Sequence, residues 1–388
     1  MTLGLDPELL HTCVQCGLCL SSCPTFRVSG DESMSPRGRI ALMRHVEAGR
    51  APLDDDVLDS FATCVQCRAC EPACPSGVQY GRLVEQVRIA LVDDPNVTPR
   101  RVRMLLRIIR RPRVLRLATL LLGLGQRLNL VPRSLDPGIR VPLRQPAMRA
   151  SGGDVVLFTG CVMDAWQRDV HRDVQYVLEC AGVGVLPSGN VVGCCGALHS
   201  HAGANDAARR MATHVMQSLP PEVPVLVDAA GCGAALKDYG HLLGTTAAAE
   251  FSRRVFDVHE WLAARIDELP DAPRLDRHVV VQDPCHLRNV QRTHRTVHDL
   301  LRRYVAKVDE LDTEGLCCGA GGAYSFGQRS LADQIRARTV AAIARSSADL
   351  VVSANPGCAL HLAAASIATA HPLQLVAEAL RSADAQRP

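Results

Sequence analysis

The sequence predicts an α + α/β chain, a helical N-terminal module followed by a duplicated α/β half. Three observations predict this. The run Cys13-x2-Cys16-x2-Cys19-x3-Cys23-Pro24 recurs as Cys64-x2-Cys67-x2-Cys70-x3-Cys74-Pro75, with matching residues 51 positions apart. A second, longer pattern repeats over the rest of the chain at offsets of 124, 123, 123 and 126. Within each long copy, β-branched runs alternate with helix-period stretches, which is the signature of βαβ units and a parallel sheet.

Composition narrows the function classes. The chain has 388 residues, 47% of them hydrophobic and 21% charged, a globular composition with length for more than one domain. Aromatic residues are 3%, so the cores are aliphatic and stacking platforms for single-stranded nucleic acid are few. A net charge of +3 is too small for a general nucleic-acid binder. Cysteine is the outlier, at 17 residues. Met1 to Leu10 has neither a basic n-region nor an apolar h-region, so no export signal and no disulfide framework is expected. The expected location is the cytoplasm, with peripheral attachment to the cytoplasmic face of the inner membrane as the variant.

The doubled four-cysteine run is the one associated with [4Fe–4S] clusters, the fourth cysteine of each run serving the other cluster. One cluster is therefore assigned to Cys13, Cys16, Cys19 and Cys74, the other to Cys23, Cys64, Cys67 and Cys70. Structural zinc is the bland alternative, but it uses paired knuckles with four ligands in total. Ser35 and Pro36 supply an N-cap and an N1 residue for a helix carrying Ile40, Met43 and Val46 and closing at Gly49. Asp54–Asp56 starts another, and Leu83, Val87 and Leu91 mark a third. Helices between the runs make residues 1–92 an α-helical ferredoxin rather than the compact hairpin kind.

Residues 93–153 form a basic helical linker. Between 96 and 135 stand ten arginines and no Asp or Glu, which leaves −7 for the rest of the chain. Thr98 and Pro99 are expected to cap a helix with Val102, Leu105, Leu106 and Ile109 on one face, ended by Pro112. Leu117–Gly125 is apolar but too short to cross a bilayer. A basic amphipathic segment of this kind suits a solvated interdomain face, an acidic partner or an anionic membrane, and docking to partner subunits is the favoured functional use.

Copy one (154–272) reads Val155–Thr159, Cys161, Cys194-Cys195-Gly196, Val225–Asp228 and Cys232. Copy two (273–388) reads Val279–Gln282, Cys285, Cys317-Cys318-Gly319, Leu350–Ser353 and Cys358. Functional groups of parallel sheets gather beyond the strands' carboxyl ends, where the first and last cysteines of each copy fall. Four thiols per copy can therefore converge. Cys180 matches Arg303 in the other copy and is expected to be an ordinary buried helix thiol.

This half resembles the cysteine-rich CCG domain of the heterodisulfide reductases and of related glycerol-3-phosphate and lactate systems. With its N-terminal ferredoxin, the chain is similar to the iron–sulfur subunit family of bacterial glycolate oxidase (glycolate dehydrogenase). Ser35-Pro36-Arg37-Gly38-Arg39, Ala230-Gly231-Cys232-Gly233-Ala234 and Ala354-Asn355-Pro356-Gly357-Cys358, followed by His361-Leu362, carry the likeness. The heterodisulfide relatives end each copy in C-x-x-C; here Ala235 and His361 stand at the second position. Copy two then offers Cys285, Cys317, Cys318 and Cys358 with His361, and copy one offers Cys161, Cys194, Cys195 and Cys232 with no fifth group. A further iron–sulfur cluster in this half stands beside the alternative that the loops pack on a partner without one.

The resemblance implies the non-flavin subunit of an acceptor-dependent glycolate dehydrogenase. FAD-binding glycolate oxidase subunits would oxidise glycolate to glyoxylate, and this chain would pass electrons toward a quinone or other acceptor. No catalytic residue for the acid itself is expected here, and Gly319-Ala320-Gly321-Gly322 does not complete a dinucleotide fingerprint. His199, His201 and His286 lie near the cysteine loops and read as packing or tuning groups. The alternatives are an iron–sulfur protein of a lactate or glycerol-3-phosphate dehydrogenase, a thiol/disulfide reductase, and a zinc-stabilised scaffold.

Overall fold

A computed structural model describes residues 2–132, 136–311 and 316–385; Arg133 of the arginine-rich segment lies outside them. The chain forms two compact units: residues 1–107, 197–208 and 313–339 make one, and residues 108–196, 209–312 and 340–388 make the other.

In the first unit five helices frame the cysteine runs: α1 (Pro7–His11), α2 (Pro24–Ser29), α3 (Pro36–Glu47), α4 (Asp55–Ala62) and α5 (Tyr80–Ala90). Their ends are set by the residues that predicted them. Ser35 Oγ accepts from Gly38 N at 3.0 Å, with Pro36 at N1. Asp54 Oδ1 accepts from Val57 N at 3.1 Å and opens α4. Each cap satisfies a donor the helix would otherwise leave open. Gly38 is obligatory, since a Cβ there would fall 1.9 Å from the Glu32 carbonyl oxygen. Ile40, Met43 and Val46 of α3 join Phe61, Leu83, Val84 and Val87 in one hydrophobic core.

Helix α6 (Arg100–Ile109) buries Val102 and Leu106 against Ala202 and Ala323, with Leu105 packed beside them. Thr98, the residue expected to cap it, is buried, and its hydroxyl donates to the Ala202 carbonyl at 3.4 Å.

The second unit holds α7 (Pro112–Arg127), α8 (Val162–Trp166), α9 (Arg168–Cys180) and two four-stranded parallel sheets. Strands β1 (Val155–Phe158), β2 (Val185–Pro187), β3 (Val225–Val227) and β4 (Val255–Asp257) lie in the order β2-β1-β3-β4. Strands β5 (Leu275–Val281), β6 (Val305–Glu310), β7 (Leu350–Val352) and β8 (Thr369–Ala370) repeat that order as β6-β5-β7-β8. Val156 registers with Leu186 on one side and Val225 on the other; Val280 registers likewise with Asp309 and Val351. The chain leaves β1 in one direction and returns for β3 in the other, so a topological switch point opens between their carboxyl ends. The two copies also join: Ala230 N donates to Ala354 O at 3.1 Å, and Gly231 N donates to Asn355 Oδ1 at 3.2 Å.

Candidate metal centres

Both cysteine runs of the first unit are coiled by left-handed residues at matching places. Gln15 and Gly17 have φ of 59° and 85°; Gln66 and Arg68, 51 positions on, have 58° and 57°. Three non-glycine residues in this region are uncommon, and here they turn each loop so that its thiols face one side. Cys13, Cys16, Cys19 and Cys74 line one cleft, together with Cys70, Pro36, Ile40, Val78 and Tyr80. Cys23 lies electrostatically against Cys67, and Cys70 against Cys67, Cys64 and Cys23. Cys74 thus lies with the first three cysteines of the first run, and Cys23 lies against Cys67 and Cys70 of the second.

The donors are sulfur throughout, and Cys23, Cys64, Cys67 and Cys70 are buried. Burial pushes the thiols of Cys23 and Cys70 above their ordinary range, with neighbouring thiols adding to the rise. Such sulfurs become thiolates only beside a cation, and iron held by all four supplies one. The donor chemistry and the grouping therefore fit cubane clusters.

Two arginines buried beside the second group were not anticipated as part of the site. Arg39, 1% exposed, donates from Nε to Ser60 O at 2.6 Å and from its terminal nitrogens to Thr25 Oγ1 and Thr63 Oγ1. Burial alone would lower its pKa, but Tyr80, Cys64 and Cys23 outweigh this and raise it. Arg88 donates to Ala62 O at 2.8 Å and Cys64 O at 3.3 Å, and burial lowers it. A sequence signal for Arg39 existed: it shares the apolar stripe of α3 with Pro36, Ile40, Met43 and Val46. An arginine on such a stripe must find buried acceptors or a buried anion.

The segment after the first Cys-Cys-Gly loop, and the second loop with the residues that follow it, belong to this same unit. Gln66 Nε2 donates to His201 O at 2.7 Å, and a Cβ on Gly203 would fall 2.0 Å from Arg88 O. Burial, aided by Arg88 and Arg68, lowers His201 to about 4, which suits a packing group rather than a base. The thiols of Cys67 and Cys317 are hydrogen-bonded, and this bond, with burial, pushes Cys67 well up. Thr339 Oγ1 donates to Cys317 O at 3.0 Å and Gly319 N approaches Cys317 Sγ at 3.4 Å, so the loop is held from both ends.

In the second unit the four cysteines of copy one come together. Cys161 caps α8 after β1, and Cys232 lies in the first turn of the helix Ala230–Lys237 after β3. Cys195 Sγ is 3.2 Å from Cys232 Sγ, and Cys161 and Cys195 are each hydrogen-bonded to Cys194. Tyr239 Oη, fully buried, donates to Cys195 O at 2.8 Å and fixes the loop. Beside these thiols is a cavity of about 390 Å³. Cys161 and Cys194 line it with Leu115, Leu120, Arg116 and Arg168. Arg168 is forked onto Asp164 at 2.8 and 2.7 Å.

The copy-two candidates divide between the units. Cys317 and Cys318 belong to the first, and Cys285, Cys358 and His361 to the second. Cys285 Sγ lies 3.4 Å from His286 Nδ1, at the start of a π-helical turn, His286–Gln291. Cys358 Sγ accepts from Asn355 Nδ2 at 3.4 Å. His361 is half-buried on the helix Pro356–Ala363. Cys180 departs from its expectation: it is half-buried at the end of α9 and bonded to the Tyr176 hydroxyl. The last turn of that helix brings its sulfur toward the surface rather than the sheet.

Residues 9–78 match the 4Fe-4S dicluster domain family, and residues 155–237 and 279–363 each match the cysteine-rich domain family. The chain is 33% identical to the "Probable glycolate oxidase iron-sulfur subunit" of Bacillus subtilis (strain 168), over 92% of this chain and 89% of that one. It is 30% identical to the glycolate oxidase iron-sulfur subunit of Escherichia coli (strain K12), over 96% and 95%. It is also 27% identical to a component of the dihydromethanophenazine:CoB–CoM heterodisulfide reductase of Methanosarcina acetivorans, over 91% and 88%. The paired cysteine runs, the doubled β2-β1-β3-β4 sheet and these full-length likenesses have one source: the chain belongs to the glycolate oxidase iron–sulfur subunit family.

Proposed function

We propose that this chain is the electron-transfer subunit of an acceptor-dependent glycolate dehydrogenase in the cytoplasm. FAD-binding partner subunits convert glycolate to glyoxylate, releasing two electrons and two protons. This chain carries the electrons to a quinone, which takes up two electrons and two protons to become the quinol. Bound [4Fe–4S] clusters supply one-electron chemistry, with potentials set by charge, hydrogen bonds to sulfur and exposure. Cys13, Cys16, Cys19 and Cys74 hold one, and Cys23, Cys64, Cys67 and Cys70 hold the other, within a ferredoxin module of residues 1–92.

The observation that carries this reading is the crosswise grouping of the eight cysteines, Cys74 lining the cleft of Cys13, Cys16 and Cys19. The Cys67–Cys317 contact supports onward transfer, because it sets a thiol of the duplicated half against the second group. Cys285, Cys317, Cys318 and Cys358 with His361, and Cys161, Cys194, Cys195 and Cys232, are assigned as candidate ligands of further clusters. The cavity at Cys161 and Cys194 has aliphatic walls and guanidinium donors, which suit a quinone ring and its carbonyl oxygens.

The test is anaerobic purification with iron, sulfide and zinc analysis and low-temperature EPR. The two cubanes predict about eight irons per chain, and further clusters raise that number. Cys13→Ser and Cys74→Ser should lose the same EPR component, while Cys23→Ser and Cys64→Ser lose the other. Stoichiometric zinc in place of iron, or Cys74→Ser sharing its loss with Cys64→Ser, overturns the assignment.

A further inference from the structure

Helix α7 is built with its apolar side outward. Leu115, Thr119 and Gly123, one turn apart, form its buried face. Trp166 Nε1 donates to Thr119 Oγ1 at 3.0 Å, and a Cβ on Gly123 would lie 2.9 Å from Leu143 Cδ2, so this face is firmly seated. At 3.6 residues per turn, Leu117, Leu120, Leu121, Leu124 and Leu128 fall away from it. Leu117 is 57% exposed, Leu121 60% and Leu128 66%, with Leu120 and Leu124 at 40% and 42%. Ordinary surface helices turn this stripe toward the core. Here it runs outward from Leu117 to Leu128, past the end of the helix.

The charge around the stripe is of one sign. Arg110, Arg111, Arg113 and Arg116 are exposed at its start, within the 96–135 segment that holds ten arginines and no acid. We propose that α7 lies on an anionic lipid surface, with its leucines in the acyl boundary and its arginines at the phosphate groups. Two features select lipid over a protein groove. Beyond aliphatic and guanidinium groups, the exposed positions of 112–124 offer no side chain to fix a register, and they lack the aromatic anchors on which protein interfaces concentrate binding. An apolar stripe flanked by arginine is instead the pattern of an interfacial helix, attracted by both buried area and anionic headgroups. At about 24 Å long, the helix is too short to cross the bilayer and long enough to lie along it. Among the described residues, no helix is long and apolar enough to span a membrane. This inference does not depend on the electron-transfer reading.

The full chain, purified with its iron, is sedimented with vesicles of phosphatidylcholine and with vesicles that also carry phosphatidylglycerol. Binding should favour the anionic vesicles by about tenfold and weaken with salt. Leu117→Gln/Leu121→Gln/Leu124→Gln should lower binding to both by about a hundredfold. Arg110→Gln/Arg113→Gln should remove most of the anionic preference and leave the leucine-dependent part. Unchanged iron content and thermal midpoint establish that a variant is folded. If the leucine variant does not fold, the arginine pair and the salt titration decide the question. Absence of vesicle binding, or binding indifferent to these substitutions, overturns the proposal. So does a dimer, or a complex with flavoprotein subunits, that the leucine variant dissociates, because the face would then be covered by protein.

Discussion

Arg39 places a full positive charge in the buried interior of the N-terminal unit, and its hydrogen bonds go to neutral oxygens of Ser60, Thr25 and Thr63. Thr25 Oγ1 is in turn 3.1 Å from Cys23 Sγ, so the guanidinium and one thiol share a hydroxyl. A buried cation without a paired anion is costly, and a cluster held by thiolates is an anion. The fixed charge favours the reduced, more negative state of whatever Cys23, Cys64, Cys67 and Cys70 hold. Arg39→Gln should therefore lower the potential of one EPR component while leaving the other nearly unmoved. Potentiometric titration followed by EPR measures this; equal shifts in both components would show only a general loosening. The cysteine runs were legible in the sequence because spacing is a local property. Arg39 was legible only as a charge on the apolar stripe of α3, since its acceptors are set by tertiary packing.

At the scale of the element, the starts of α3 and α4 are cap-determined, and the sequence identified both. Ser35→Ala removes the acceptor for Gly38 N and should cost about 1 kcal/mol of stability. The effect appears as a lower unfolding midpoint with the iron content of the folded protein unchanged, because the Ser35 hydroxyl is spent on the helix cap and is no iron ligand. Strands were located to within a residue or two at β1, β3 and β7, since their β-branched runs are short and bounded by polar turns. Thr98 shows what the sequence left out: its hydroxyl donates to the Ala202 carbonyl, more than a hundred residues away in sequence. Sequence pattern weighs only near neighbours, and that contact lies beyond them.

At the scale of the whole molecule, buried histidines make stability depend on pH. His371 accepts from Leu373 N through Nδ1 at 3.3 Å, and its Nε2 faces Asp228 O at 3.0 Å. Both bonds are satisfied by the neutral ring with its proton on Nε2. Burial, with His259 nearby, lowers its pKa from 6.5 to about 3. Above pH 6.5 the ring is neutral whether the chain is folded or not, and no penalty arises. As pH falls from 6.5 toward 3, only the unfolded chain takes up the proton. Each pH step of one then removes up to about 1.4 kcal/mol of stability. His371→Asn should flatten the fall of the denaturation midpoint between pH 6.5 and 4.5, at the cost of a lower midpoint at pH 7.5; an unaltered slope would assign the acid sensitivity elsewhere.

The two cysteine runs, the duplication and the alternation of strand and helix are settled by the amino-acid sequence alone. These are properties of spacing and periodicity, which short stretches of chain carry complete. The crosswise assignment of Cys23 and Cys74 is likewise an expectation that the run itself supplies. Which groups surround the thiols, and which faces meet solvent, had to wait for the tertiary structure. Residues 197–208 and 313–339 fold with the N-terminal helices although they belong in sequence to the duplicated half. Helix α7 turns its leucines outward although its composition would fit a core. In both cases the outcome depends on partners far along the chain, such as the Trp166 indole that seats Thr119 and the Arg88 carbonyl that leaves room only for glycine at 203. Local sequence sets what a residue can do, and packing against distant segments sets which of those possibilities it is given.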